Sequence, residues 1–209
     1  ASCAGVCRSF REGMLRDGSP IRRLIAERCE LADVAAEETV FVDLETTGLG
    51  SSPLFLIGTL VCENGRLLVR QFFARNYAEE RAVISMFLDL MAGRKLLVSF
   101  NGKSFDLPYV RVRAAATGLR FDLDPRHLDL LHVSRRLWKH RMPDCRLQTL
   151  ERQICGRYRS GDIPGHLIPQ AYHDFVLTGN ARQMADCLKH NMLDLVTLAD
   201  LAARLPEPP

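Results

Sequence analysis

Thr39-Val-Phe-Val-Asp-Leu-Glu45, closed by Thr46-Thr-Gly-Leu-Gly50, is the stretch that decides the architecture. Its β-branched and aromatic residues favour a strand, and the glycines that follow signal a turn. A strand alternates its side chains, so Val40, Val42 and Leu44 share one face while Asp43 and Glu45 share the other. Strand interiors disfavour acids, and two carboxylates on one exposed face repel unless a cation lies between them. An Asp-x-Glu pattern arises about once by chance in a chain this acidic. The weight of the pair therefore comes from its position, at the end of the strongest strand and just before a Gly-rich turn.

Working outward, Leu54–Cys62 and Leu67–Phe73 also read as strands, and the Asn64-Gly65 between them is a hairpin cue. Apolar Val83, Met86, Phe87 and Leu90 fall at helical spacing between Glu79 and Met91. Leu96–Phe100 is a short apolar strand ended by Asn101-Gly102, and a helix is expected from Asp106 to about Ala116. His127–Leu131 offers one more short strand. Beyond it the pattern is helical to the end, interrupted around Gly161-Asp-Ile-Pro-Gly165 and resuming over Ala181–Arg204. This order predicts an α/β fold. Its mixed β-sheet combines a three-strand antiparallel meander with parallel strands, flanked by helices.

Ahead of that unit, residues 1–36 read as a basic, partly helical extension carrying Arg8, Arg11, Arg16, Arg22, Arg23 and Arg28. Ser19-Pro20 marks a helix start, with Ile21, Leu24 and Ile25 behind it. Both a nucleic-acid-binding arm and a solvated helix face fit this pattern. Residues 37–205 form the expected main domain and 206–209 a Pro-rich tail. The 209 residues suffice for one cored domain with an appendage.

Lys and Arg number 28 against 25 Asp and Glu, a net charge of +3. That excess is too small to mark a nucleic-acid binder on its own. The seven cysteines are scattered without zinc-site spacing. The opening ASCAGVCRSFREG lacks the apolar run of a signal peptide, and no stretch is long enough to cross a membrane. A reduced, cytoplasmic setting with no membrane partner is the resulting expectation; protein partners are not indicated.

Two further acids complete the candidate set. Asp106 has a good structural role as the N-cap of its helix, with Pro108 in the first turn. The same position borders the cleft at a strand's C-terminal end, so capping and ligation need not exclude each other. Asp194 lies about a hundred degrees around the helix from the stripe of Met184, Leu188, Leu195 and Ala199. His190 stands one turn earlier on the same flank, where the two side chains can converge.

Three fragments together resemble the DEDD superfamily of 3′-to-5′ exonucleases, with a ribonuclease H-like fold. They are Phe41-Val-Asp-Leu-Glu-Thr-Thr-Gly48, Phe100-Asn-Gly-Lys-Ser-Phe-Asp106 and His190-Asn-Met-Leu-Asp194. Cys145-Arg-Leu-Gln-Thr-Leu-Glu-Arg152, Gly161-Asp-Ile-Pro-Gly165 and Tyr172 resemble the YprB-type branch, which is described mainly as predicted nucleases.

The resemblance implies hydrolysis of phosphodiester bonds in DNA or RNA, with a single-stranded 3′ end as the substrate. It implies two divalent cations, Mg²⁺ or Mn²⁺, which suit hard oxygen ligands. Asp43 would bridge the ions, Glu45 and Asp194 would serve the water-activating site, and Asp106 the second. His190 would take the water's proton, histidine's ordinary pKa of about 6.5 being well placed. Its spacing departs from the familiar patterns, since a His stands where one class carries a Tyr.

Thr46, Thr47, Leu49, Asn101 and Phe105 are candidate substrate contacts. The basic run Arg135-Arg-Leu-Trp-Lys-His-Arg141 with Arg146 can track phosphates or form a solvated face. The resemblance also implies that Asp129 is a fifth acid near the site, with a supporting role and not that of a ligand. A nucleic-acid-binding module without catalysis, and a two-metal hydrolase of nucleotides, are the competing readings.

Overall fold

The computed structural model describes residues 34–48, 50 and 52–205. The extension expected over 1–36 lies outside them except for its last three residues, as do Leu49 and the tail 206–209. Strands β1 (Thr39–Thr46), β2 (Leu54–Glu63) and β3 (Arg66–Phe73) form the expected meander. Asn64 and Gly65 have φ of 49° and 68°. Positive φ at both central residues is the type I′ geometry that matches the twist of a hairpin.

The remaining elements are α1 (Glu80–Met91), β4 (Leu96–Ser99), α2 (Asp106–Ala116), β5 (Arg126–Asp129), α3 (Leu130–Trp138), α4 (Leu147–Gln153), α5 (Ile168–Thr178) and α6 (Arg182–Ala203). The sheet runs β3-β2-β1-β4-β5, with β4 parallel to β1 and β5 parallel to β4. Two local expectations shift. Met86 of α1 faces solvent and Ile84 is buried in its place, because Val83, Ile84, Phe87 and Met91 form the stripe that meets the sheet. The last strand stops at Asp129, whose side chain accepts a hydrogen bond from the Leu131 N–H and so starts α3.

Alternation along β1 feeds two separate cores. Val40, Val42 and Leu44 pack with α1, α2 and α5, where Phe55 stacks on Tyr172 at 4.0 Å between ring centres. Phe41 faces the other way, into a core built with Leu195, Leu198 and Ala199 of α6. Both faces of the sheet are therefore covered by helices, and β1 is buried between them.

One buried ion pair fixes α1 against α2 and β2. Glu80 receives Arg113 through Nε at 2.7 Å and Nη2 at 2.6 Å, and also the N–H of Leu54 at 2.7 Å. Its side chain is only 5% exposed. Removing one partner from such a pair leaves an uncompensated charge. Glu80→Ala is expected to cost about 3 kcal/mol in urea unfolding. Glu80→Gln, which can still accept from Leu54, is expected to cost less.

Candidate active site

Asp43 and Glu45 leave β1 on the side that meets α6, as period-two alternation dictates. That face is not exposed, contrary to the sequence expectation: α6 lies across it, and both acids are half-buried. Asn191 of α6 is fully buried and reaches the strand, its Nδ2 donating to the Asp43 carboxylate at 2.8 Å and the Asp43 carbonyl at 3.1 Å. The residue opposite Asp43 on β2 is Gly58. A Cβ there would stand 1.9 Å from the Asn191 side-chain oxygen, so only glycine lets the amide in. Gln71 of β3 donates to that same oxygen at 2.9 Å and to the Leu188 carbonyl at 2.7 Å.

Asp106 opens α2 as its first residue. It does not cap the helix: Phe105 holds that position, without a side-chain cap bond. The turn before it is tied down by Asp129, which accepts from the N–H groups of Asn101 (2.8 Å) and Lys103 (3.1 Å) as well as from Leu131. Asp129 thus supports the turn that leads into Asp106. Asn101 adopts φ 67°, a left-handed conformation that Asn tolerates. Gly102 makes room for the acid, since a Cβ there would lie 2.7 Å from Asp106 Oδ2.

The third contribution comes from α6 and from the non-helical run 154–164. His190 is buried and Asp194 half-buried. Their convergence holds: His190 Nε2 lies 3.4 Å from Asp194 Oδ2. The other ring nitrogen, Nδ1, sits 3.0 Å from both carboxylate oxygens of Asp162. Arg159 then closes a network that no sequence argument anticipated. Its Nη2 donates to Asp194 Oδ1, its Nη1 to Asp162 at 3.0 Å, and its Nε to Glu151 at 2.5 Å. Glu151, buried on α4, also takes the Thr197 hydroxyl at 2.9 Å. Glu151 and Asp162 lie inside the two segments that carry the branch resemblance, but only the fold shows what they hold.

The expected substrate contacts are less concentrated. Thr46 and Thr47 turn their hydroxyls onto the Gly48 and Pro53 carbonyls, at 2.8 and 3.0 Å, which shapes the turn after β1. Asn101 is exposed. Phe105 is half-buried and tilts against Tyr109, with ring centres 5.2 Å apart. Leu49 lies outside the described residues. Arg135, Arg136, Lys139, His140 and Arg141 are all exposed on α3 and the turn after it, as is Arg146.

Electrostatics tie the four acids into one unit. Burial raises Asp43 well above the ordinary carboxylate range, and the charges of Asp194, Glu45 and Asp106 raise it further against the Asn191 bond. Burial raises Glu45 likewise, with Asp194, Asp106 and Asp162 adding to it. Asp106 is pushed up to about 7, first by burial and then by Asp129. Asp194 is raised by burial, which outweighs the Arg159 and His190 charges that pull it down. Burial pulls the Arg159 guanidinium down, but Asp194, Glu151 and Asp162 overcome it and keep it charged.

Hard oxygen ligands crowded by like charge are the donor set that a divalent cation relieves. In kind, Asp43, Glu45, Asp106 and Asp194 fit such an ion. In position they are not closed around one: among the described residues no three His, Cys, Asp or Glu side chains converge tightly enough to hold a metal. Asp194 is engaged by Arg159 instead.

A carboxyl whose pKa is higher in the folded chain than in the unfolded one binds its proton more tightly when folded. Its contribution to stability is full below the unfolded value and is lost as pH rises through the folded value. For Asp106 that window runs from 3.8 to about 7. In EDTA, the urea midpoint is expected to fall between pH 5 and pH 8, and Asp106→Asn to flatten that fall. Adding Mn²⁺ at pH 8 is expected to restore the wild-type midpoint.

Comparison with known proteins agrees with this fold. A family model described as RNase_H superfamily matches residues 40–206. The Bacillus subtilis (strain 168) protein named "Uncharacterized protein YprB" is 36% identical over 166 residues, 77% of this chain and 40% of the relative. Among solved structures, the family B DNA polymerase from the hyperthermophilic archaeon Pyrobaculum calidifontis superposes with a TM-score of 0.67 at 17% identity. That match covers 80% of this chain and 24% of the polymerase, and at such low identity it speaks for the fold alone. The chain therefore spans less than half the length of either protein. With its mixed sheet, its helical cover and a family match across most of its length, this chain belongs to the RNase_H superfamily and has the ribonuclease H-like fold.

Proposed function

We propose that the chain is a metal-dependent nuclease hydrolysing phosphodiester bonds of DNA or RNA, acting as a DEDD-type 3′-to-5′ exonuclease on single-stranded ends. The observation that carries this reading is the gathering of four buried or half-buried carboxylates, Asp43, Glu45, Asp106 and Asp194, each held above its ordinary proton affinity chiefly by burial. They come from one strand and two helices; the charges of Glu45, Asp106 and Asp194 raise Asp43 further, and those of Asp106 and Asp194 raise Glu45. Such a cluster is poorly explained as scaffold, because burying like charges beside one another opposes folding. It is well explained as a receptacle for cations.

Two divalent ions, Mg²⁺ or Mn²⁺, would lower the pKa of an attacking water and neutralise charge on the phosphate and leaving oxygen. Asp43, Glu45, Asp106 and Asp194 would hold these ions, with Glu45 and Asp194 serving the one that activates water and Asp106 the other. His190 takes the water's proton at Nε2, the nitrogen that faces Asp194. Asp162 beside Nδ1 orients the ring, so that the base is aimed from behind by a second acid. Thr46, Thr47, Asn101 and Phe105 are the candidate contacts for the terminal nucleotide, together with Leu49, which lies outside the described residues. The exposed arginines of α3 offer phosphate contacts farther along the strand.

Purified protein offered labelled single strands, duplexes and mononucleotides with Mn²⁺ or Mg²⁺ tests the reading. Stepwise shortening from the 3′ end of single strands is the expected result. Hydrolysis of mononucleotides alone points to a small-substrate hydrolase, and binding without cleavage to a recognition module. Asp43→Asn is expected to lower kcat by at least about a hundredfold with the fold intact by circular dichroism. His190→Ala is expected to remove the limb of the pH–rate profile that belongs to the base, and Asp162→Asn to lower kcat by loosening the ring's orientation.

A further inference from the structure

Asp194 has no oxygen to spare. Oδ1 is bonded by the Arg159 guanidinium and Oδ2 faces His190 at 3.4 Å. Arg159 is itself buried, its side chain 7% exposed, and it spreads one positive charge over carboxylates from α4, from the 154–164 run and from α6. A planar guanidinium is suited to this, since its forked N–H groups can satisfy three acids at once. The cost of burying Asp194 among Asp43, Glu45 and Asp106 is thus met in part by a charge that the chain carries itself.

We infer that Arg159 competes with a divalent cation for Asp194, so that an ion on the Asp194 side of the site enters only by displacing the guanidinium. This rests on the metal-binding reading given above. Release does not strand the arginine, which keeps Glu151 and Asp162. Its surroundings also permit movement. Gly156 and Gly161 bracket it in left-handed conformations with φ of 65° and 64°, and a Cβ at either would meet nothing within 4 Å. A cavity of about 410 Å³ opens beside it, bounded by Gln148, Arg152, Tyr158 and Ile163. The site consequently has two unequal halves. The half that needs Asp194 fills only after that carboxylate has been freed, whereas the other half carries no such requirement.

Calorimetric titration of Mn²⁺ into the intact chain without nucleic acid tests this directly. The wild type is expected to show a tighter and a weaker step, or the tighter step alone. Arg159→Gln should strengthen or reveal the weaker step by about tenfold and leave the tighter one in place, a coupling of ordinary size. Asp194→Asn should abolish the weaker step. Arg159→Gln removes a positive charge shared by Glu151, Asp162 and Asp194, so Arg159→Lys is the companion variant. It keeps the charge but not the fork, and should shift the same step in the same direction by less.

A weaker step that is unchanged or further weakened in both Arg159 variants overturns the inference while leaving the metal site standing. Absence of any Mn²⁺ uptake that Asp43→Asn removes overturns the metal reading itself, and the competition with it.

Discussion

Like charge held out of water is the constraint around which the rest of this structure is arranged. Asp43 and Glu45 emerge from the central strand of the sheet, on the face that α6 closes. Each is pushed towards its neutral form by burial and by the other acids. A chain gains nothing in stability from this arrangement, yet several elements are shaped to permit it. Gly58 yields its side-chain space to Asn191, Gly102 yields to Asp106, and Asp129 anchors the turn that delivers Asp106. The ordinary cores lie above and below, built from aliphatic and aromatic residues that could stabilise many folds.

Local rules were enough for the sheet and its flanking helices. Alternation in Thr39–Glu45, the Asn64-Gly65 turn and the apolar spacing of α1 each have a short-range cause, and each element stands where that cause put it. Met86 went astray because helical spacing alone allows two adjacent stripes, and only the sheet decides between Met86 and Ile84. Asp106 was open to two roles for a similar reason. The N-cap signal is local, whereas the choice of Phe105 as cap depends on the turn held by Asp129.

The candidate acids could be singled out because they stand in a fixed order on recognisable elements. Their partners were not. Arg159 and Asp162 lie in a run without helical or strand period, so nothing in their spacing states which way they point. Glu151 looks like any acid on a short helix until Thr197 and Arg159 are seen against it. Asn191 offered a faint signal, a polar residue immediately after His190 on a helix whose flank is buried. Its contact with Asp43 spans 148 positions of sequence, and the glycine that admits it sits on a third element.

The thread from Gln71 through Asn191 to Asp43 also has a direction. Gln71 gives its N–H to the Asn191 oxygen, which leaves Asn191 only its NH₂ group to offer to Asp43. An amide oriented this way can meet a lone pair but not a carboxyl proton. Asp43 Oδ2 is therefore kept as an acceptor, and when the acid is neutral its hydrogen resides on Oδ1. A glutamine two strands away in the sheet thus decides which oxygen of the central carboxylate carries the acid hydrogen.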